Sequence, residues 1–173
     1  MVDDVDLKIL DALQSNSNLH QAEIGRRVGL SAASVNERIH KMERLGIIRG
    51  YVALLDDLKL GRDMAAFIEV YIDHPRHEKR FVDLMGQLAE VQECHHVAGD
   101  FSCLIKVKVR DRRALRALVL DRINALPGVR QTRTILVLET TKETARLSLL
   151  PPGSDPTRGR AGHSRRRETG RKV

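Results

Sequence analysis

No stretch of the 173 residues approaches the roughly 18 consecutive apolar residues that cross a bilayer as a helix, so a membrane-spanning helix is not expected. The opening residues, MVDDVDLK, are acidic and lack both a basic-then-apolar leader and a small-residue cleavage site. No secretory signal is apparent, and the expected location is the cytoplasm. Cysteine is scarce, with Cys94 and Cys103 alone; in a chain without an export signal, two thiols read as reduced core residues before they read as a disulfide. Chemistry-bearing patterns are missing too. No nucleophile stands beside a base, no metal-ligand spacing recurs and no glycine-rich phosphate loop is present. His95 and His96 are adjacent in a strand-like run, so their side chains point to opposite faces and cannot chelate one ion without distortion. No catalytic residue, metal or cofactor is expected, and no enzyme activity.

What is present is a chain with 42% hydrophobic residues and a formal net charge of +7, enough apolar content for a real core and a basic balance suited to a polyanionic partner. The charge is unevenly placed. Residues 1–62 carry 9 Lys and Arg against 9 Asp and Glu, residues 63–150 carry 14 against 12, and residues 151–173 carry 7 against 2. The last segment is rich in Pro, Gly and Arg, with almost no apolar residues. Such a composition cannot repay the entropy of ordering. It reads either as a solubilising extension or as an arm adding salt-dependent affinity for phosphates.

The first fifty residues predict three short helices. Val5, Ile9, Ala12 and Leu13 recur at helical spacing after Asp3 or Asp4, either of which can cap. A second helix, near Gln21 to Val28, buries Ile24 and Val28 and has the poor capper His20 before it. Gly29 ends that helix and Ser31 caps the third, in which Val35, Ile39, Met42 and Leu45 form one apolar stripe closed by Gly46. Gly25 leaves room for a close approach. The turn and the two caps fix the third helix against the others, so that its polar face projects outward. This is how a helix-turn-helix lays its second helix in the major groove of DNA. Ser31, Ser34, Asn36, Arg38 and Lys41 are the expected DNA contacts, Asn36 as base reader and Ser31 as cap first. The run GIIRGYVALLD then predicts a linking strand.

Beyond the connector DDLKLGRD the pattern changes. MAAFIEVYID, VQECHHVA, FSCLIKVKV and VRQTRTILVLETT predict four strands. PRHEKRFVDLMGQLAE and RDRRALRALVLDRINAL predict helices after the first and third. The order βαββαβ is that of a ferredoxin-like sandwich, so the expected class is α+β. Ile135 to Leu138 are continuously apolar, as in a strand buried on both faces. Two helices cover one face only, so a second copy of the same sheet is the expected cover, giving an isologous dimer. The expected domains are 1–50 for the helix-turn-helix, 51–63 for the linking strand and hinge, 64–148 for the sandwich and 149–173 for the basic tail.

Three blocks, LKILDALQ, VGLSAASVNERIHKMERLGIIRGYVALLD and CHHVAGDFSCLIKV, resemble the leucine-responsive regulatory protein/AsnC group of prokaryotic transcription factors, and the likeness runs over residues 3 to about 145. The resemblance implies a regulator that binds double-stranded DNA at the nucleoid. It implies a homodimer joined through its sheets and assembling further, typically to an octamer. It also implies an amino-acid effector held near Val97, Gly99, Asp100, Phe101 and Ser102 and near Thr132 and Thr134. Ser102 stands where members often carry an acidic residue, which removes one negative charge from that cleft. Three rival readings stay open: a sensing module whose helical domain binds protein, a DNA-architectural module, and a small ligand-modifying enzyme on a ferredoxin-like dimer.

Overall fold

The computed structural model describes residues 2–149 and separates into two compact units. The tail expected at 149–173 lies outside the described residues, apart from residue 149.

The first unit comprises the residues through Val52 and those from Thr144. Helix α1 spans Asp4–Ser15, α2 spans Gln21–Val28 and α3 spans Ala32–Arg44. Asp3 caps α1 in a reciprocal capping box: its carboxylate accepts from the Asp6 N–H at 2.8 Å, while the Asp3 N–H donates to Asp6 at 3.3 Å. His20 contributes no side-chain cap to α2, as its imidazole suggests. Gly25 is buried where α2 meets the turn, and a Cβ there would collide with the Leu30 carbonyl oxygen. Its own carbonyl accepts from the Leu30 N–H at 2.9 Å. The small residue therefore serves the turn between the two helices. Ser31 Oγ accepts from the Ser34 N–H at 3.1 Å, starting α3. At the far end Gly46 has φ 70°. Its N–H donates to Glu43, and that of Ile47 to Met42, both at 2.9 Å, which is a Schellman closure. Ile9, Ile24, Val35 and Met42 are fully buried at the centre of the bundle.

The second unit, Ala53–Glu143, contains β1 (Met64–Ile72), a 3₁₀ turn at Pro75–His77 leading into α4 (Glu78–Met85), β2 (Val91–His96), β3 (Cys103–Val109), α5 (Arg112–Arg116) and β4 (Val129–Leu136). The four strands form one antiparallel sheet in the order β2-β3-β1-β4. This is the predicted sandwich order. Helix α5 widens into a π-helical stretch over Ala117–Ile123, where the sequence pattern predicts ordinary α-helix. One sheet face is built from Ala66, Ile68 and Val70 opposite Val107, Ile105 and Cys103. It packs on Phe81, Met85, Leu115, Leu118 and Ile123.

One expectation is corrected here. Residues 51–56 form no strand; a strand exists only where a second edge takes its hydrogen bonds, and the described residues offer that run none. Residues Ile135 to Leu138 border the face for which a second copy of the sheet is the expected cover. Strand β4 lies at the sheet edge with β1 as its neighbour, leaving Ile135 41%, Leu136 50% and Leu138 99% exposed. The sheet face opposite the helices mixes apolar Phe67, Leu104 and Ile135 with Glu69, Lys106 and Lys108, as the register dictates. Glu143 closes on Lys106 and Lys108 there, and Asp57 lies 2.8 Å from Lys108. Glu143 is thus shared by the two lysines, with Glu93 pairing Lys106 and Asp57 pairing Lys108 as well.

Candidate nucleic-acid interface and effector loop

The polar surface of α3 divides into three sectors. At about 100° per residue, Val35, Ile39 and Met42 define the inward direction, and Glu37 and Arg44 stand opposite it. Ala33, Asn36, Glu37, His40 and Arg44 are exposed. Ser34, Arg38 and Lys41 are half-buried on one flank. The five expected DNA contacts therefore do not form one outward surface. Ser31 and Ser34 build the helix start, their hydroxyls 2.9 Å apart. Arg38 and Lys41 reach back to α1.

That backward reach ends on a carboxylate the sequence pattern does not single out. Asp6 is fully buried. Arg38 Nη1 lies 2.7 Å from Asp6 Oδ1 and 2.7 Å from Asp3 Oδ2, and Lys41 Nζ lies 3.5 Å from Asp6 Oδ2. Burial pushes the Asp6 carboxyl up, but the Arg38 guanidinium, the Asp3 N–H and Lys41 together hold it below the usual carboxylate range. Asp3 is likewise lowered, first by its hydrogen bond from Arg38. Asp6 shares its helix with an apolar stripe, and the sequence pattern offers Asp3 or Asp4 as the cap without giving Asp6 a role. Its signal was the spacing Asp3-x-x-Asp6, the mark of a capping box.

The opposite flank carries a second network. Glu43 accepts from the Tyr51 hydroxyl at 3.1 Å and pairs with His40 Nδ1 at 2.8 Å. Both contacts lower its carboxyl, that with His40 more strongly. Asn36, His40 and Tyr51 border a cavity of about 370 Å³ shared with Leu13, Asn18 and Gln21.

In the second unit the expected effector residues gather only partly. Residues 97–102 form the connection between β2 and β3, closed by a hydrogen bond from the Val97 N–H to the Ser102 carbonyl at 3.2 Å. Ser102 is anchored to β1. Its N–H donates to the Val70 carbonyl at 2.9 Å, and its Oγ accepts from the Ile72 N–H at 3.1 Å. Phe101 meets Tyr71 edge to face, ring centroids 6.2 Å apart. Gly99 and Asp100 form the tip. Thr132 pairs with Val70 from the other side of β1, so it flanks the same strand end as this loop. Its hydroxyl donates to Asn124 Oδ1 at 2.9 Å, at the close of the π-helical stretch. Thr134 pairs with Ile68, two residues or roughly 7 Å farther along the strand. Among the described residues, no group of three or more His, Cys, Asp or Glu side chains could hold a metal ion, and no helix is long and apolar enough to cross a membrane.

Two family models match the chain: a winged helix-turn-helix DNA-binding model over residues 2–49, and an Lrp/AsnC ligand-binding domain over residues 65–147. The chain belongs to the Lrp/AsnC family. Leucine-responsive regulatory proteins of Klebsiella pneumoniae and Escherichia coli K12 are each 38% identical to it over 148 residues, covering 84% of this chain and 90% of the relative. A Neisseria meningitidis transcriptional regulator, solved as a complex with L-methionine, superimposes with a TM-score of 0.82 at 31% identity, over 86% of this chain and 97% of that one. AsnC of E. coli gives 0.79 at 27% identity, over 87% and 99%. As a family member the chain is a DNA-binding transcriptional regulator with a ligand-binding domain, and not an enzyme.

Proposed function

We propose that this Lrp/AsnC regulator reads DNA through the outward sector of α3 and that the flanking cations hold that sector in place. The observation that carries this reading is the commitment of Arg38 and Lys41 to buried Asp6, while Asn36, Glu37, His40 and Arg44 stand exposed. Asn36 is suited to bidentate pairing with adenine, Glu37 to accept from a cytosine amino group, and Arg44 to a phosphate or guanine. Ser31 and Ser34 start the helix and stand near enough to its N-terminus to meet a phosphate as well. Arg38 and Lys41, expected from the sequence to touch DNA directly, act in this reading mainly as positioning residues.

The effector is an amino acid. The loop between Val97 and Phe101 exposes Gly99 and Asp100; their backbone N–H groups suit an α-carboxylate, and the Asp100 carboxylate suits an α-ammonium. Ser102 shapes the loop through its two bonds to β1, and Thr132 borders the same strand end, with Thr134 behind it. The methionine complex of the Neisseria regulator supports this ligand class. Dimers assemble into a higher oligomer, an octamer in the simplest reading, at the nucleoid in the cytoplasm. The effector then shifts the balance between assemblies by binding one more tightly than the other.

A pair of substitutions tests the division of labour on α3. Asn36→Ala should flatten sequence preference at about one base position, a loss of roughly 1–3 kcal/mol of discrimination, with thermal stability unchanged. Arg38→Gln should lower thermal stability and weaken binding to all sequences together. Unchanged discrimination in Asn36→Ala would remove the reading role from that face.

A further inference from the structure

The exposed sector of α3 carries one imidazole, and two hydrogen bonds in series orient it. The Tyr51 hydroxyl donates to Glu43 Oε1 at 3.1 Å, and Glu43 Oε2 lies 2.8 Å from His40 Nδ1. The Glu43 carboxyl is held below the usual carboxylate range, first by His40 and then by Tyr51. It is therefore ionised at neutral pH, and an ionised carboxylate only accepts. A proton must then sit on His40 Nδ1 whether the ring is neutral or charged. Nε2 has no hydrogen-bond partner among the described residues, and the His40 side chain is 56% exposed.

The surroundings of the ring isolate this pair. On α3 itself Glu37 stands one turn before His40 and Arg44 one turn after, both exposed, while Lys41 turns to Asp6 on the flank. Other elements meet His40 across the cavity of about 370 Å³, through Leu13 of α1, Ser17, Asn18 and Leu19 of the connection, Gln21 of α2, and Tyr51. None of these six is charged at neutral pH. Burial and the neighbouring Glu43 push the Tyr51 hydroxyl up, so it stays a neutral donor. The Glu43 carboxylate is thus the one charge in direct contact with the ring among the described residues.

We propose that His40 is a proton-linked DNA contact, its protonated Nε2–H donating to a phosphate oxygen or to the acceptors of guanine while Glu43 fixes the ring from behind. The proposal rests on α3 being the DNA-reading helix. A neutral ring with its proton on Nδ1 presents a lone pair at Nε2. That lone pair cannot bond to a phosphate oxygen or to guanine N7 and O6, which are themselves acceptors, so engaging them takes up a proton. Histidine is the side chain whose charge ordinarily changes between about pH 5 and 8. Amides and guanidinium groups, the other donors on this face, do not titrate there. Proton uptake on binding is therefore a signature of His40 that Asn36 and Arg44 cannot produce.

Four full-length proteins test the proposal: the parent, H40Q, H40K and E43Q. Each is titrated by fluorescence anisotropy between about pH 5.5 and 8.5, with a duplex selected by the parent from a random pool and with a duplex of arbitrary sequence. Parent affinity should rise as pH falls, by up to about tenfold per pH unit for each helix engaged, the limit for one proton taken up. H40Q should lose that rise. H40K, charged throughout, should bind more tightly than H40Q and without the rise. E43Q should keep only part of it, because a neutral amide neither fixes the ring nor offsets its charge. A rise with both duplexes, and a parent salt slope steeper at low pH by about 0.9 per helix, assigns the contact to phosphate. A rise confined to the selected duplex assigns it to guanine. No rise in the parent, or one that persists in H40Q, would overturn the proposal, and an undiminished rise in E43Q would overturn the part given to Glu43. Failure of the α3 reading shows separately, as unchanged discrimination in Asn36→Ala at every pH.

Discussion

Arg38 Nη1 lies 2.7 Å from Asp6 Oδ1, and that carboxylate is fully buried. The pair joins the middle of α3 to the first turn of α1, and Asp3 shares the same guanidinium. A buried carboxylate is tolerated only when its charge is met. Here Arg38, Lys41 and the Asp3 backbone meet it. The network therefore sets the angle of α3 as a consequence of satisfying Asp6.

Asp6→Asn should lower stability by about 2 kcal/mol, the scale of a lost hydrogen bond to a charged group, and should weaken operator binding without erasing sequence preference. The parent also carries a pH signature. Asp6 and Asp3 both titrate below the ordinary carboxylate value in the folded state. Their contribution is complete above about pH 4, the unfolded value, and is lost as pH falls through the lower folded values. Thermal unfolding followed between neutral pH and pH 3 should show a steeper acid loss in the parent than in Asp6→Asn. Parallel curves would contradict the assignment.

Gly25→Ala sets two effects against each other. In an ordinary helix interior the change gains about 1 kcal/mol. Here the added methyl meets the Leu30 carbonyl oxygen, a backbone atom on the turn into α3, and overpacking of this kind costs typically 1–3 kcal/mol. The collision should win. Melting of the variant should show net destabilisation together with weaker DNA binding, since the turn that moves is the one placing α3. A more stable variant with full operator affinity would show that the turn yields freely.

The cysteines of the second unit differ in burial. Cys103 is buried on β3 and Cys94 half-buried on β2. The Cys103 thiol hydrogen-bonds to Cys94 and lowers it to about 7, against an opposing effect of burial and with help from the charge of His95. The same contact, with burial, pushes Cys103 up. Alkylation by iodoacetamide should therefore label Cys94 alone in the native protein, with a rate that rises through pH 7 as the thiolate forms. Equal labelling of both positions, or a midpoint near the ordinary thiol value of about 8.5, would contradict this pairing.

The first unit was the more legible in sequence because its signals are local. Ser31 caps, Gly29 and Gly46 have the left-handed backbone their positions suggest, and the stripe Val35, Ile39, Met42 is buried. Asp6 was not legible, because its burial depends on a guanidinium 32 residues away. For the same reason Arg38 reads from sequence as a free cation on a polar face. In the second unit the order of strands and helices followed from their patterns, and the sheet takes the expected sandwich order β2-β3-β1-β4. The apolar run from Ile135 outlasts its strand, since β4 ends at Leu136. The π-helical stretch at Ala117–Ile123 leaves no mark in hydrophobic spacing, because Leu118, Val119 and Ile123 suit either winding. The run from Tyr51 to Asp56 has the composition of a strand without an edge to pair with among the described residues.

The most direct test of the account is a selection of genomic duplex fragments by the purified full-length protein, with and without a pool of the standard amino acids. A ligand-responsive regulator reading DNA through paired α3 helices predicts a pseudo-palindromic motif with half-sites about one helical turn apart, or a multiple of it. Occupancy or spacing at that motif should change when the pool is added. Retention of fragments without any shared motif, and indifferent to the pool, would contradict it.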